Sequence, residues 1–372
     1  MRSQPRRASL PPVRRQNHTL MESAGRVARD WAILKHACKH GKALLASTNC
    51  PYSRKEVDMD KVLGIDIGGT SIKVGLFSTE GTLEAVTKIP TGEIVSEAAF
   101  AVVTEGLKAL LAENGVTPQD VIAIGLDVPG PVDDEGKVGM LPNIELDPDG
   151  LQAAIRRTFV NATLAFVNDA NAAALGELWQ GTAKGANSFV LIAIGTGVGG
   201  GVIANGKLVS GAFGAGGEIG HVTVNRDETA SCGCGRKGCL EQYASATGIV
   251  RSYRRECERL GTEPVALDGP TDTLSVFEAH RAGDEAAHSA LAQMCDRLGY
   301  AMAQISVVAD PQIYLIGGGV GGGFKLYADD LRAAFRRYCL APSVATRILP
   351  ASLGNDAAMY GCAYQALLEH DA

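Results

Sequence analysis

The residues best suited to chemistry are one histidine and three cysteines that follow it closely: His221, Cys232, Cys234 and Cys239. One imidazole and three thiolates suit tetrahedral Zn²⁺ and leave no open coordination position for a reactive water. We therefore predict a structural zinc site. The alternative is a set of unrelated thiols in a glycine-rich loop, but three cysteines spread over only eight positions, after an upstream histidine, favour the metal.

A glutamate stands at each end of this segment: Glu218 begins Glu-Ile-Gly-His, and Glu241 comes just after the last cysteine. Glycines at 233, 235 and 238 let a short loop turn back, so that sulfur atoms close in sequence can point at one centre. A bound metal would hold the loop rigidly. We therefore expect Glu218 and Glu241 to bind a polar ligand beside it.

Composition limits the class of protein. With 372 residues, 46% of them hydrophobic, the chain can bury one large core or two ordinary ones, and two domains are favoured. No apolar run is long enough for a membrane helix, and no apolar segment follows the N-terminal arginines as in a secretory signal, so no membrane partner is expected. The nine cysteines, an odd number, favour a reducing compartment, which predicts the cytoplasm.

Charged residues are distributed unevenly along the chain. Residues 1–58 carry 12 Lys and Arg against 4 Asp and Glu, although the whole chain has a net charge of −6. The acidic remainder argues against nucleic acid as a partner of the folded part. Residues 1–58 are predicted to be a basic, disordered extension; a transit peptide or a nucleic-acid-binding arm are alternatives. We favour Met59 as the true start, because the sequence after it begins a strand abruptly.

The pattern after Met59 predicts alternating strands and helices. The first strands form a hairpin, and the last strand runs directly into Asn168-Asp169 and an alanine-rich helix that ends near Trp179. The predicted elements are strands at Val62–Asp66 and Ile72–Phe77, a helix at 96–114, a strand at Val121–Val128, a helix at Leu151–Thr158 and a strand at Thr163–Val167.

The second half repeats this plan. Apolar strands flank the glycine-rich turn Gly195–Gly199, later strands are predicted at 313–316 and 345–349, and Asn-Asp-Ala recurs at 355 before a final helix to about 368. Internal duplication explains the repeat. An insertion after the second hairpin contains the loop that carries His221, Cys232, Cys234 and Cys239, called the cysteine loop below. The same insertion contains helices near 241–259, 274–282 and 284–308.

Duplicated hairpin-plus-α/β halves resemble the two-lobed, ribonuclease H-like fold shared by actin, Hsp70 and the sugar kinases. We therefore predict an α/β protein with an N-terminal lobe over 59–180 and a C-terminal lobe over 181–372. The C-terminal lobe would contain the structural zinc loop, and the last helix would pack back on the N-terminal lobe.

Two glycine-rich turns are candidate phosphate-binding elements. Asp66-Ile67-Gly68-Gly69-Thr70 resembles the first phosphate-binding hairpin of that superfamily: backbone N–H groups of Gly68 and Gly69 can approach phosphate closely, and Thr70 adds a hydroxyl donor. Asp66 is suited to hold Mg²⁺ through water. The second turn supplies Thr196 and Gly197, and Gly318-Gly319 would receive adenine and ribose. Two ordinary tight turns are the alternative.

Asp169 is the predicted catalytic residue. It stands where a buried strand ends and a helix begins, so its carboxylate would project into the cleft between the lobes. Phosphoryl transfer to an alcohol needs one carboxylate near the attacking hydroxyl, and we assign Asp169 as this general base. The equivalent Asp356 is predicted only to cap its helix.

Together, Asp66–Thr70, Asn168-Asp169, Glu-Ile-Gly-His and Cys-x-Cys-Gly-x-x-Gly-Cys-x-Glu resemble the ROK family (repressors, open reading frames, kinases) over residues 59–372. The resemblance implies that zinc orders a sugar-binding loop, that His221 both ligates zinc and contacts sugar, and that the protein is a homodimer or homotetramer. The sugar contacts implied by the family are Asn143, Asn168, Asp169, Glu218, His221 and Glu241.

The expected activity is ATP-dependent phosphorylation of a hexose at the 6-hydroxyl, with glucose as the substrate and ATP, Mg²⁺ and structural Zn²⁺ as cofactors. Fructose, mannose or N-acetylmannosamine are alternative substrates, and polyphosphate is an alternative donor. A sugar-responsive transcriptional regulator is the alternative from another class. The leader is too short for the winged helix-turn-helix of such regulators, and Asp66, Asp169 and both phosphate turns are those that kinase chemistry requires.

Overall fold

A computed structural model of the chain describes residues 60–141 and 144–372. Five strands build the first sheet: β1 (Lys61–Ile67), β2 (Ser71–Ser78), β3 (Leu83–Pro90), β4 (Val121–Val128) and β5 (Thr163–Asn168). Their order is β3-β2-β1-β4-β5. The first three strands are antiparallel, and β4 and β5 continue the sheet parallel to β1.

The second sheet repeats this topology. Its strands are β6 (Phe189–Ile194), β7 (Val198–Ala204), β8 (Lys207–Leu208), β9 (Ile313–Gly317) and β10 (Arg347–Pro350), in the order β10-β9-β6-β7-β8. Again, three antiparallel strands are followed by two parallel ones. The two sheets confirm the predicted duplicated α/β fold.

Ten helices connect the strands within the described residues. They are α1 (Glu97–Glu113), α2 (Pro148–Thr158), α3 (Asp169–Trp179), α4 (Glu241–Ala244), α5 (Ala246–Leu260), α6 (Thr273–Arg281), α7 (Glu285–Ala309), α8 (Gly318–Gly321), α9 (Phe324–Tyr338) and α10 (Ala357–His370). None of them is long and apolar enough to cross a membrane.

One predicted helix, over 241–259, is two helices in the structure. Ser245 has extended backbone angles (φ −70°, ψ 164°), which interrupts the helix after α4. Its side-chain oxygen accepts a hydrogen bond from the N–H of Gly248 and so caps α5. The break turns the chain between Glu241 and the longer helix that packs against α7.

Helices α3 and α10 lie close together in the middle of the fold. Each of them packs against the sheet built by the other half of the sequence. Helix α3 follows β5 but packs on β7, and α10 follows β10 but packs on β1 and β4. Small residues permit this contact. A Cβ atom at Gly361 would collide with the carbonyl of Ala172, and one at Gly125 with the carbonyl of Cys362. The first residue of α3 is thereby held beside the second sheet.

The predicted lobe limits, 59–180 and 181–372, stay a prediction. The basic extension predicted over residues 1–58 lies outside the described residues.

Candidate active site

A cavity of about 900 Å³ gathers most of the predicted site residues. Its walls come from the ends of β1 and β5, the β6–β7 turn, the start of α3 and the insertion. The predicted residues that line it are Asp66, Asn168, Asp169, Thr196, Gly197, Glu218, His221, Glu241 and Gly318. Residues from both halves of the sequence, more than 150 positions apart, thus face one space.

Other predicted residues lie elsewhere. Gly68, Gly69 and Thr70 form the β1–β2 turn next to Asp66, and the last two are exposed; none of the three lines the cavity, and neither does Gly319. Asn143 lies outside the described residues.

Asp169 is the first residue of α3, at the end of β5. Asp169 is exposed to the open cavity, but the surrounding protein desolvates its carboxyl group and raises the pKa, although the hydrogen bond from the Ala170 N–H, 2.8 Å long, acts in the opposite direction. A carboxyl group with a raised pKa is a stronger base than an aspartate with its ordinary pKa.

Asn168 orients the start of α3. Its Oδ1 accepts hydrogen bonds from the N–H groups of Ala170 (3.0 Å) and Asn171 (3.1 Å), and its Nδ2 donates to the carbonyl of Gly130 (3.1 Å). The side-chain amide of Asn168 also donates to the carboxylate of Asp169 and so acts to lower its pKa. The residue is therefore a helix cap that also orients Asp169.

Lys73 is a cation beside the cavity that the sequence analysis missed. It is the cross-strand partner of Asp66 in the β1–β2 hairpin, so the register of the predicted hairpin was the signal that could have found it. Its Nζ lies 3.1 Å from Oδ1 of Asp356 and donates to the carbonyl of Asn355. Burial raises the pKa of Asp66, the charge of Lys73 opposes this, and the charges of Asp169 and Asp356 add to it.

The prediction that Asp356 acts only as a helix cap is wrong. Asp356 precedes α10, but its side chain makes no capping hydrogen bond and pairs with Lys73 instead. The hairpin of the first sheet brings Lys73 close enough to compete for the carboxylate. An ion pair with a Lys from another part of the chain is a contact that the local sequence does not reveal.

Asp127 is a second functional candidate that the sequence analysis missed. It is fully buried in β4 beside Asp66, and its Oδ1 accepts a hydrogen bond of 2.9 Å from the N–H of Ile67. Burial, and then the charges of Asp66 and Asp169, raise the pKa of this carboxyl group well above its usual value. A single acidic residue inside the apolar strand Val121–Val128 was the available signal.

Glu241 connects the cysteine loop to the β6–β7 turn. Its Oε2 accepts a hydrogen bond of 3.0 Å from the N–H of Val198. A Cβ atom at Gly197 would collide with the same carboxylate oxygen, so a larger residue there would displace the end of the Glu241 side chain. The candidate sugar-binding loop and the candidate phosphate-binding turn therefore form one connected unit.

The ligand atoms of His221, Cys232, Cys234 and Cys239 lie within 4.8 Å of one another. The sulfur atoms of Cys234 and Cys239 are 3.7 Å apart, and His221 Nδ1 is 3.9 Å from the sulfur of Cys232. In a tetrahedron with Zn–S bonds of about 2.3 Å, two sulfur atoms are about 3.8 Å apart. The donor set and its spacing therefore fit the zinc ion that the sequence predicts.

His221 and Glu218 face each other at the edge of the cavity. Nδ1 of His221 points toward the cysteines, and its Nε2 lies 3.9 Å from Oε2 of Glu218. Burial raises the pKa of Glu218, the charge of His221 opposes this, and the charges of Asp169 and Glu241 add to it. The imidazole can thus contact a metal and a cavity ligand through different nitrogen atoms.

A second set of contacts supports the cysteine loop without metal. The side-chain oxygen of Gln242 accepts from the N–H groups of Gly238 (2.7 Å) and Cys239 (3.1 Å), and its Nε2 donates to the Ala230 carbonyl (3.0 Å). Gln242 is buried, so these bonds are shielded from water.

Glu228 extends this support. It accepts hydrogen bonds from the Tyr243 hydroxyl (2.7 Å) and the Ala230 N–H (3.0 Å), and its Oε2 lies 3.5 Å from Arg255. Burial acts to raise the pKa of Glu228, but these bonds and the charges of Arg255 and Arg251 outweigh it and lower the pKa to about 2. The carboxylate is therefore charged throughout the neutral range.

Comparison with known proteins identifies the group to which the chain is related. Residues 62–369 match the ROK family. The chain belongs to the ROK family. A glucokinase from Halalkalibacterium halodurans is 36% identical over 307 residues, which covers 80% of this chain and 92% of the relative. The resemblance inferred from the motifs is thereby confirmed.

Solved structures agree with this membership. A ROK hexokinase from Thermus thermophilus matches with a TM-score of 0.71 and 32% identity, covering 84% of this chain and 99% of that one. A ROK glucokinase from Streptomyces griseus, solved with glucose and AMPPNP, matches with a TM-score of 0.64 and 33% identity, covering 82% and 99%.

Relatives with names other than glucokinase also match. An N-acetyl-D-glucosamine kinase from Vibrio vulnificus is 28% identical and covers 81% of this chain and 97% of its own length. A xylose repressor from Caldicellulosiruptor bescii is 27% identical and covers 82% of this chain and 77% of its own length. Membership of the family therefore leaves the individual sugar open.

Proposed function

We propose that the protein is an ATP-dependent hexokinase of the glucokinase type, which phosphorylates the 6-hydroxyl of glucose. The observation that carries the proposal is a single cavity in which Asp169 lies together with the group Glu218, Glu241 and His221 and with the β6–β7 turn. The first group suits the hydroxyls of a sugar, and the second suits phosphate oxygens. The relatives named glucokinase support the choice of sugar.

In the proposed reaction, Asp169 accepts the proton of the 6-hydroxyl as the bond from that oxygen to the γ-phosphorus forms and the bond to the leaving ADP oxygen breaks. Glu218 and Glu241 accept hydrogen bonds from sugar hydroxyls and so fix the orientation of the ring. Asn168, which lines the same cavity, is proposed as a further ligand of the sugar. Positioning supplies most of the rate enhancement, because phosphoryl transfer requires little covalent participation by the protein.

The cavity is rich in carboxylates, which would repel the phosphates of ATP. Lys73 is the nearby cation, and it already pairs with Asp356. The carboxylate oxygens of Asp66 and Asp169 are hard donors of the type that Mg²⁺ prefers, so Asp66 is the residue proposed to hold the ion through water. When bound, Mg²⁺ supplies positive charge near the phosphates. Zn²⁺, held by the cysteine loop, is proposed to maintain structure.

The assigned base is tested by Asp169→Asn. We expect kcat for glucose phosphorylation to fall by at least about 100-fold, whereas KM for glucose changes only a few-fold, because the amide keeps the shape but cannot take a proton. ADP release is the measurement, and the exposed Asp371→Asn is the matched control. Turnover by Asp169→Asn equal to that of the unaltered protein would rule out this assignment.

The substrate is tested by a steady-state screen of sugars against phosphate donors. We expect the highest kcat/KM for glucose with ATP. Fructose, mannose, N-acetylmannosamine and N-acetylglucosamine are the competing sugars, and polyphosphate is the competing donor. A higher value for any of these would replace glucose or ATP in the proposal without removing the proposed kinase chemistry.

A further inference from the structure

Glu177 is a buried carboxylate that the proposed reaction does not use. It lies on α3, eight residues after Asp169, and its side chain is fully shielded from solvent. No ion pair joins it to a cation in the part of the chain that the structure describes. A buried charge without a cation persists only where several hydrogen bonds stabilise it.

Backbone N–H groups provide that stabilisation. Oε1 of Glu177 accepts hydrogen bonds from the N–H groups of Ser352 (2.8 Å) and Leu353 (2.7 Å), and Oε2 accepts one from Thr182 (2.7 Å). The Ser352 hydroxyl adds a longer contact of 3.2 Å. One side chain thus holds the segment that leads from β10 to α10, about 175 positions away in sequence.

The segment between β10 and α10, residues 351–356, is the held segment, and it forms one wall of a second cavity of about 320 Å³. Glu177, Gly317, Ser352 and Asn355 are among its lining residues. Its lining is mostly glycine, alanine and larger aliphatic residues, and its polar side chains are those of Glu177, Ser352 and Asn355. A flat ring system with polar edges, such as a nucleoside base, fits this combination of surfaces.

The second cavity adjoins the active-site cavity. Ala173, Ala193, Gly318 and Ala358 line both. A ligand that extends from one to the other would place its phosphates near the β6–β7 turn and its base against the segment held by Glu177. This arrangement suits a nucleoside triphosphate and offers little to a simple polyphosphate.

We propose that Glu177 is a positioning residue, which fixes the Ser352–Leu353 backbone so that the adjoining cavity binds the nucleoside of the phosphate donor. This inference rests on the proposed kinase function. The same helix that begins with Asp169 carries Glu177 two turns later, about 12 Å along its axis. Helix α3 therefore fixes the distance between Asp169, the proposed base, and the cavity wall proposed to contact the nucleoside.

The test is Glu177→Gln in the full chain. The glutamine oxygen can still accept hydrogen bonds from the N–H groups of Ser352 and Leu353. Its amide nitrogen would face the N–H of Thr182, so two donors would meet and no hydrogen bond could form there. We expect the affinity for AMPPNP, measured by calorimetry, and KM for ATP to weaken by about tenfold, whereas KM for the sugar changes less than about threefold.

Glu228→Gln is the matched control, since it makes the same change in the buried carboxylate that supports the cysteine loop. We expect it to weaken sugar binding and to leave AMPPNP affinity unchanged. Unchanged AMPPNP affinity in folded Glu177→Gln, or equal losses for sugar and nucleotide, would overturn the role of Glu177.

Hydrogen exchange in the unaltered chain provides a test that needs no variant. The Ser352 and Leu353 amides should exchange slowly and become slower still with AMPPNP, but not with sugar alone; no response to AMPPNP would contradict the proposal.

If the unaltered chain binds AMPPNP and phosphorylates no sugar, the proposed function fails while Glu177 can still be tested. Absence of AMPPNP binding would overturn both.

Discussion

Asp169 opens on the cavity, but the protein around its carboxyl group partly desolvates it and raises its pKa. Its charge in turn adds to the effect of burial in raising the pKa values of Asp66 and Asp127. Asp66 and Asp169 line the cavity and Asp127 lies fully buried beside Asp66, so these three acidic groups compete to hold protons. We therefore expect activity to be sensitive to acid.

The first prediction concerns this sensitivity. A general base acts only when it is deprotonated, so kcat/KM should fall as pH decreases through the raised pKa of Asp169 and reach a plateau above it. The acid limb should therefore lie above the ordinary aspartate value of 3.8. The measurement is kcat/KM against pH, with circular dichroism at each pH as a control for unfolding. A limb at or below 3.8 would contradict the assigned environment.

The second prediction concerns Gly217, which directly precedes Glu218. Its φ is +85°, and a Cβ atom there would lie 2.7 Å from the carbonyl oxygen of Gly200. Gly217→Ala should lower the free energy of unfolding by about 1–2 kcal/mol and raise KM for the sugar more than KM for ATP. Gly233→Ala, where a Cβ meets nothing within 4 Å, is the matched control. Equal behaviour of the two variants would show that Gly217 is not constrained.

At the scale of elements, the cysteine loop is held in three ways. The candidate zinc ligands tie it internally, Gln242 binds its backbone, and Glu241 connects it to the β6–β7 turn. Only the first of these depends on a metal. The loop should therefore lose its precise shape rather than unfold completely when the metal is removed.

The third prediction follows from this difference. The purified protein should contain one zinc ion per chain, and Cys234→Ser or treatment with a chelator should remove it, raise KM for the sugar by about tenfold and leave most of the secondary structure intact. Zinc content, sugar kinetics and circular dichroism are the measurements. Cys339→Ser, the same change outside the loop, is the control. Full sugar affinity in zinc-free protein would contradict a role for the metal in shaping the site.

At the scale of the whole molecule, the crossed pair α3 and α10 joins the two sheets. Each helix begins beside the site, α3 with Asp169 and α10 just after Asp356, and each packs on the sheet of the other half. The close contact of their backbones requires residues without large side chains. The position of Asp169 relative to the second sheet therefore depends on this helix pair.

The fourth prediction tests the helix pair. Gly361→Ala should lower the free energy of unfolding by about 2 kcal/mol or more, because the new methyl group meets the carbonyl of Ala172. It should also lower kcat, since α3 carries Asp169. Leu368→Ala, on an exposed position of the same helix, should cost about 0.5 kcal/mol or less. Urea denaturation compares the two, and similar losses would show that the contact is not tight.

Much of the fold could be predicted from the sequence, because hairpins and buried strands produce local apolar patterns. Strand β3 and helix α9 were not predicted. The mostly exposed and half-buried residues of β3 leave little apolar signal, and α9 follows Gly323, which offers no side chain to cap it. The duplicated topology still emerged, since Asn-Asp-Ala recurs before an alanine-rich helix in both halves.

The sequence alone determined which residues could carry the chemistry. Ligand spacing from His221 to Cys239 and the position of Asp169 at the end of a strand are properties of neighbouring residues. The tertiary structure decided the partners: Lys73 with Asp356, Glu241 with Val198, and Glu177 with the backbone of the segment before α10. These contacts join residues far apart in the chain, and only the packing of the two sheets and their crossed helices brings such residues together.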